Sequence, residues 1–428
     1  MTQFLHPETL AIHAGRSTDN TKSLATPVYR TGAYLFRDSK HAQDLFGLAE
    51  LGNIYTRLMN PTHDVLEQRV AALEGGVAAV TLASGTSAIF YTVINVARAG
   101  DNIVSASNLY GGTYSQFESI LPQLGIKTRF VGVNDATQIE AAIDDHTRLL
   151  FIETIGNPGL DVANLALWAE IAKKHQIPLA VDSTFTTPFL CKPLEHGANI
   201  VIHSLTKWMS GHGTALGGIV VDGGNFDWTN PKFSQFNEPD DSYHDLRWAH
   251  DLPASLLPAA FALRMRLVPL RNLGACNSPD NAWIALQGIE TLGLRMQRHC
   301  DNAMAVAQWL LKNPKVSWVR YPGLPTDSSH ELAKKFLKNG FGGMVVFGIK
   351  GGKDAGQKFI ESLQLFSHVA NVGDAKSLAI HPATTTHSQL TLQQLKDCGV
   401  GEDLVRLSIG IEHIDDILAD LKQAIGDK

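Results

Sequence analysis

A lysine and two hydroxyl groups follow an apolar stretch near the middle of the chain. Residues 200–202 are Ile-Val-Ile, a run typical of a buried strand, and Ser204, Thr206 and Lys207 come shortly after it. Ligands of open α/β sheets bind at the carboxyl ends of the strands. The pattern therefore predicts that these three polar side chains face a ligand.

A second apolar run places a carboxylate at the same kind of position. Residues 179–181 are Leu-Ala-Val, and Asp182 follows them. A pyridoxal phosphate site needs a lysine that forms a Schiff base and an aspartate that bonds the pyridinium nitrogen. We therefore predict that Lys207 and Asp182 bind this cofactor together.

The turn at residues 84–87 is a candidate anion site. It has the sequence Ser-Gly-Thr-Ser and lies between an apolar run at residues 78–83 and a helical run from Ala88. The free N–H groups and the positive end of a helix dipole favour an anion at such a turn. The N–H groups of Gly85 and Thr86 could bind a phosphate, although many turns of this kind bind nothing.

Three more residues could contact the same ligand, and two of them, Tyr110 and Arg406, have a plainer alternative. Tyr110 and Asn157 follow predicted strands at residues 102–106 and 149–154. The tyrosine could lie flat on a planar ligand or pack under a loop. Arg406 falls within an apolar run, where a cation needs an anionic partner, either a substrate carboxylate or a structural acid.

Length and composition predict a two-domain enzyme. The chain has 428 residues, 44% of them hydrophobic and 18% charged, and this is ordinary for a packed protein of that length. Its net charge of -6 argues against a general nucleic-acid or membrane-surface binder. The four cysteines form no CxxC pair, so neither a metal site nor a disulfide framework is expected. No signal peptide or apolar run of membrane-spanning length is found, so a cytoplasmic location is expected.

We expect three regions along the chain. Residues 1–62 form an arm rich in turn residues, in which Tyr55 and Arg57 are two apart and could reach one phosphate, or lie in solvent. Residues 63–281 form a large domain that alternates strands and helices, with a lid-like, interface or surface insertion at about 223–281. Residues 282–428 form a smaller domain. Its predicted strands are at residues 344–347, 369–372 and 404–409, and its terminal helix at 414–425.

Several motifs in order along the chain resemble those of the cysteine/methionine-metabolism family of pyridoxal phosphate enzymes. They are Tyr55-Thr-Arg57, Glu153-Thr-Ile-Gly-Asn157-Pro158, Asp182-Ser-Thr184, Ser204-Leu-Thr206-Lys207, His381-Pro-Ala-Thr-Thr-Thr-His387 and Arg406-Leu-Ser-Ile-Gly410. The resemblance implies an α/β, aspartate-aminotransferase-like (fold type I) architecture with a mostly parallel central sheet and a smaller α+β C-terminal domain. It also implies a homotetramer built from tight dimers.

The resemblance also implies a role for each matching residue. Lys207 would carry the cofactor and later move protons, Asp182 would keep the pyridine nitrogen of the cofactor protonated, and Tyr110 would stack on the ring. Arg406, helped by Asn157 and the Ser377 region, would bind the substrate carboxylate, and Tyr110 or Tyr55 would assist proton transfer. Ser183 departs from the asparagine usual in the family. The phosphate and neighbouring cofactor positions would be Gly85, Thr86, Thr184, Ser204, Thr206 and, from the adjacent subunit, Tyr55 and Arg57.

Within the family, the chain is most similar to O-acetylhomoserine sulfhydrylases. The length, the insertion and the step at residues 386–390 (Thr-His-Ser-Gln-Leu) carry this resemblance. It implies a γ-replacement that makes homocysteine from O-acetylhomoserine and sulfide or a thiol, as part of methionine biosynthesis. A methionine γ-lyase, a cystathionine γ-synthase or an O-succinylhomoserine sulfhydrylase would share the cofactor residues. A non-catalytic phosphate-binding protein would not need Lys207, Asp182 and Arg406 together.

Overall fold

The computed structural model describes residues 6–16, 20–385 and 401–426. The step at residues 386–390 that favours one branch of the family lies outside them. The described chain forms two sheets, one of seven strands and one of five.

The first sheet is mostly parallel, as predicted. Its strand order is β1-β7-β6-β5-β4-β2-β3, and only β7 runs antiparallel to its neighbours β1 and β6. The strands are β1 (Ala78–Leu82), β2 (Asn102–Ala106), β3 (Lys127–Val131), β4 (Thr147–Glu153), β5 (Leu179–Asp182), β6 (Ile200–Ser204) and β7 (Gly218–Asp222).

Helices cover both faces of this sheet, and its strands are therefore apolar on both faces. In β4, Leu150 and Ile152 pack into one hydrophobic cluster, and Leu149 and Phe151 into the other. The α-helices up to the end of the predicted large domain are Pro7–His13, Ser39–Phe46, Pro61–Glu74, Gly85–Val96, Gly111–Ser115, Ala136–Ala141, Leu165–His175, Thr187–Leu190, Ser234–Asn237, Ala260–Met265, Arg271–Leu273 and Pro279–Glu290. Shorter 3-10 or π segments are Gln116–Ile120, Leu121–Leu124, Pro193–His196, Leu257–Ala259 and Arg266–Leu270.

The insertion at residues 223–281 contributes to the core. Trp228 stacks on Phe236 and Phe261, with ring centroids 4.3 and 5.5 Å apart, and all three are buried against one face of the sheet. Helical segments at Leu257–Ala259 and Ala260–Met265 also lie within it. These aromatic side chains therefore make much of the insertion a layer of the large domain.

The second sheet is mostly antiparallel, with the order β10-β11-β12-β9-β8. Its strands are β8 (Val316–Arg320), β9 (Met344–Ile349), β10 (Ser367–His368), β11 (Leu378–Ile380) and β12 (Leu404–Ser408). The accompanying helices are Leu292–Leu311, His330–Phe336, Gly352–Ser362 and Ile414–Ile425, with a 3-10 turn at Pro382–Thr384. The strand predicted at residues 369–372 is wrong, because the strand β10 ends at His368 and an irregular segment follows.

The expected boundary near residue 282 falls inside the helix Pro279–Glu290. That helix buries Ala282, Leu286 and Ile289 in the cluster that also contains residues of the first sheet. The same cluster also includes Met344, Val346 and Leu404 of the second sheet, which the chain reaches through the helix Leu292–Leu311. Across the described residues, we find no helix with the length and apolar character that a membrane span requires.

Candidate active site

The carboxyl ends of β1, β2, β4, β5 and β6 surround a cavity of about 310 Å³. Parallel strands end at the same edge of a sheet, so residues far apart in the sequence meet there. The predicted site residues among its lining are Gly85, Thr86, Tyr110, Asn157, Asp182, Thr184, Ser204, Thr206, Lys207 and Arg406.

Lys207 lies in the turn that follows β6 and is half-buried. Its N–H donates to the Ser204 carbonyl at 3.3 Å, and its own carbonyl accepts from the Gly211 N–H at 2.8 Å. The Nζ atom donates to Oδ1 of Asn371 at 2.6 Å. Burial and the nearby charge of Arg406 lower the pKa of Lys207 to about 8, so about a tenth of the amine is neutral at pH 7, far more than for an ordinary lysine.

Asp182 ends β5 and is held from its own loop. Its Oδ1 accepts the Thr184 N–H at 2.9 Å, and the Thr184 Oγ1 accepts the Ser204 N–H at 2.8 Å. Glu153 is its register partner on β4. Burial raises the pKa of both carboxyl groups, and the charge of Asp182 raises that of Glu153 further. A cationic N–H in the cavity would stabilise the ionised carboxylates and so offset the free-energy cost of burying their charge. A protonated pyridine ring supplies such an N–H.

The start of the helix Gly85–Val96 forms a cradle for an anion. Ser84 Oγ accepts the Ser87 N–H at 3.1 Å, so the capping bond uses the third N–H of the helix. The N–H groups of Gly85 and Thr86 have no partner within the described chain, and both residues line the cavity. A Cβ added at Gly85 would lie 2.7 Å from the Ser204 Cβ, so only glycine allows this close approach. The cradle fits a phosphate.

Tyr110 stands at the side of the cavity with its position fixed through the backbone. Its N–H donates to Oε1 of Glu153 at 2.7 Å. Its ring lies over Gly112, where an added Cβ would come within 2.5 Å of the ring. The side chain is 51% exposed, so one face of the ring is open to a planar ligand.

Arg406 reaches the cavity from β12 of the second sheet. It donates to Oδ1 of Asn157 at 3.0 Å, and no carboxylate of the described residues forms an ion pair with it. Burial lowers its pKa to about 10, which still leaves it charged at neutral pH. A cation that faces a cavity without a counter-ion is suited to bind a carboxylate.

Three predicted site residues do not line the cavity. Tyr55 and Arg57 are exposed on the arm, with the guanidinium 5.3 Å from the centre of the tyrosine ring. Ser377 is buried, and its N–H and Oγ donate to Glu412 at 2.6 and 2.9 Å. These bonds fix a turn, so the expectation that Ser377 helps to bind substrate has no support in this arrangement.

Sequence reasoning missed two polar residues that line the cavity, Asn371 and Glu153. Asn371 falls within the wrongly predicted strand at residues 369–372, where a single amide in an apolar run was the available signal. Glu153 was visible as a polar strand end, but its bond to the Tyr110 N–H depends on the folded loop.

Comparison with known proteins gives a consistent picture. Residues 8–426 match the family model described as Cys/Met metabolism PLP-dependent enzyme. An O-acetyl-L-homoserine sulfhydrylase of Leptospira meyeri is 52% identical over 99% of this chain and 98% of its own length. A homocysteine synthase of Schizosaccharomyces pombe is 50% identical over 98% of both chains. A crystal structure of a putative O-acetylhomoserine (thiol)-lyase from Campylobacter jejuni, in which a lysine carries a pyridoxyl phosphate group, has a TM-score of 0.95. It is 42% identical and covers 99% of this chain and 100% of its own.

Proposed function

Since this chain belongs to the Cys/Met metabolism family of pyridoxal-phosphate-dependent enzymes, we propose that it converts O-acetyl-L-homoserine and sulfide to L-homocysteine and acetate. The observation that carries this proposal is the 52% identity to an O-acetyl-L-homoserine sulfhydrylase along 99% of the chain. The cavity supports it, because a lysine, a half-buried aspartate and an arginine without an ion-pair partner among the described residues all line it.

Pyridoxal 5'-phosphate, when bound, supplies an electron sink that makes the hydrogens on the α- and β-carbons of an amino acid acidic enough to be removed. The chain's residues would hold it at three points. Lys207 would bond its aldehyde, and Asp182 would accept the N–H of its ring. The phosphate would lie on the cradle made by the Gly85 and Thr86 N–H groups and the Ser204 and Thr206 hydroxyls.

The substrate would be oriented by its carboxylate and deprotonated by Lys207. The Arg406 fork would bind the carboxylate, and Asn157 would restrain the fork through its 3.0 Å hydrogen bond. The neutral Lys207 amine would take the proton from the α-carbon and move protons onward, so that acetate leaves with its bonding electron pair. Sulfide would then add to the γ-carbon, and the protons held on Lys207 would return to the carbon skeleton.

The rate of the chemical step should rise with pH through a pKa near 8. Lys207 accepts a proton only as the neutral amine, and below this pKa it is protonated. We therefore expect kcat to fall about tenfold for each pH unit below 7. Initial rates of homocysteine formation at saturating substrate from pH 6 to 10 will measure this acidic limb of the pH–rate profile. A flat profile across that range would contradict the assignment.

Replacing Gly85 with alanine should weaken cofactor binding by about tenfold or more, because the new Cβ would crowd Ser204 and push the cradle open. The dissociation constant can be measured by equilibrium dialysis of pyridoxal phosphate. Gly132→Ala is the matched control, since Gly132 does not line the cavity and an added Cβ there would come no closer than 3.3 Å to a neighbouring atom. Equal affinity of Gly85→Ala and wild type for the cofactor would show that the phosphate does not bind at this turn.

The reaction is tested with the purified, cofactor-loaded protein. O-acetylhomoserine and sulfide should yield homocysteine, and O-succinylhomoserine should yield much less. Keto acid and ammonia formed without any thiol would identify a γ-lyase, and cystathionine formed from cysteine would identify a synthase. Either product as the main one would overturn the proposal.

The proposal includes a homotetramer in the cytoplasm, in which Tyr55 and Arg57 reach the phosphate of a neighbouring subunit. Both residues are exposed and neither lines the cavity of its own chain, which is compatible with such a role. Apolar side chains of the arm are also strongly exposed, Leu24 by 81% and Leu35 by 98%. Surfaces of this kind are typical of protein interfaces.

A further inference from the structure

Among the described residues, the Lys207 amine donates to one side-chain acceptor, and this acceptor comes from the part of the chain that forms the second sheet. Its Nζ donates to Oδ1 of Asn371 at 2.6 Å. Both residues line the cavity. An amide oxygen is neutral and only accepts hydrogen bonds, so it takes one N–H of a neutral amine and leaves the nitrogen lone pair free.

The backbone holds Asn371 firmly against the lysine turn. At Gly373 an added Cβ would lie 2.6 Å from the Trp208 nitrogen, so the two segments are in backbone contact. The Gly373 N–H donates to Ser408 Oγ at 2.9 Å, and the Ala375 N–H donates to the Gly211 carbonyl at 2.8 Å. The segment that carries Asn371 is therefore tied to the turn at Trp208 and Gly211, just after Lys207, and to β12 at Ser408.

We propose that Asn371 is a positioning residue that docks the Lys207 amine by one N–H and directs its lone pair towards the α-proton of the substrate. The inference rests on the proposed role of Lys207 as the proton acceptor. The amine needs such a hydrogen bond whenever it is not bonded to the cofactor, because a lysine side chain otherwise has several rotamers available.

The charges around the Lys207 amine favour a neutral hydrogen-bond acceptor, because a charged acceptor would stabilise the protonated lysine. The other titratable side chains that line the cavity are Tyr110, Glu153, Asp182 and Arg406. Arg406 disfavours the protonated lysine through its charge. A carboxylate in place of the Asn371 amide would keep the shape but add a negative charge 2.6 Å from the amine, which stabilises the protonated form.

The deciding variant is Asn371→Asp, examined by two readouts. In the full chain freed of cofactor, acetic anhydride labels amines only in their neutral form, and mass spectrometry of the Lys207 peptide against pH gives the pKa of this lysine. We expect Asn371→Asp to raise that pKa by about one or more. In the cofactor-loaded enzyme, the acidic limb of kcat should move to higher pH by a similar amount.

Asn313→Asp is the matched control, because its side-chain oxygen accepts the Lys315 N–H far from the cavity and an aspartate can do the same. It should leave both readouts unchanged. Asn371→Ala should lower kcat about tenfold or more and change the KM for the ester by less than about threefold. An unmoved labelling pKa in Asn371→Asp would overturn the proposal. If wild type formed no homocysteine while the labelling pKa of Lys207 still shifted in Asn371→Asp, the positioning role of Asn371 would be supported and the proposed reaction would be disproved.

Discussion

Replacing Lys207 with alanine is expected to lower homocysteine formation by on the order of 10³-fold or more, because no other group takes over the proton transfers. The cofactor should still bind, since the phosphate cradle and Asp182 remain, but without a covalent bond to the chain. Borohydride reduction followed by mass spectrometry measures that bond, which should be fixed in wild type and absent in the variant.

Two comparisons make the Lys207 result specific. Lys338→Ala removes an exposed lysine that pairs with Glu195 and should behave as wild type. Added small primary amines should restore part of the activity of Lys207→Ala, because they can enter the vacated space and accept a proton. Full activity of the variant without such an amine would disprove the assignment of Lys207.

Replacing Arg406 with glutamine should lower kcat/KM for O-acetylhomoserine by on the order of 10²–10³-fold. Removing one partner of a buried charge pair costs about 2–5 kcal/mol, and each 1.4 kcal/mol corresponds to about a factor of ten. The loss should appear mainly as a raised KM for the ester, and the KM for sulfide should change little. Steady-state kinetics with each substrate varied in turn measures both.

Arg406→Lys separates charge from geometry. It keeps a cation but lacks the planar fork that binds a carboxylate with two N–H groups, so an intermediate loss is expected. An ester analogue without the carboxylate should be equally poor for wild type and Arg406→Gln, because the contact is missing in both cases. Unchanged ester kinetics in Arg406→Gln would place the carboxylate elsewhere.

Most of the strands that are buried in the middle of a sheet could be predicted from the sequence, although the short strand β11 (Leu378–Ile380) was not. β5 and β6 are short apolar runs, and their polar ends Asp182 and Ser204 lie at the predicted edge. The apolar pattern does not predict β3 (Lys127–Val131) or β8 (Val316–Arg320). Each is an edge strand, so polar side chains alternate with apolar ones and the continuous run is lost.

Cavity residues that lie at the end of a strand or in the turn after it could be predicted from the sequence. Residues that reach the cavity only because distant parts of the chain meet were predicted less well. Asn371 was hidden because an apolar pattern at residues 369–372 suggests a strand. In the fold, Gly373 and its contact with Trp208 keep that segment irregular and turn the amide towards Lys207. The roles proposed for Tyr55 and Arg57 depend on a second copy of the chain, which no local pattern describes.

The cavity wall is shared between the two sheets. Lys207 and Asp182 belong to the first, whereas Arg406 and Asn371 belong to the part of the chain that forms the second. One displacement of the second part relative to the first would therefore release the substrate carboxylate and remove the acceptor of the amine in the same movement. With Arg406 and Asn371 acting as proposed, substrate binding and positioning of the amine depend on the same contact between the two parts of the chain. A substitution that loosens the contact between Gly373 and Trp208 should therefore change affinity and reactivity together, although neither residue lines the cavity.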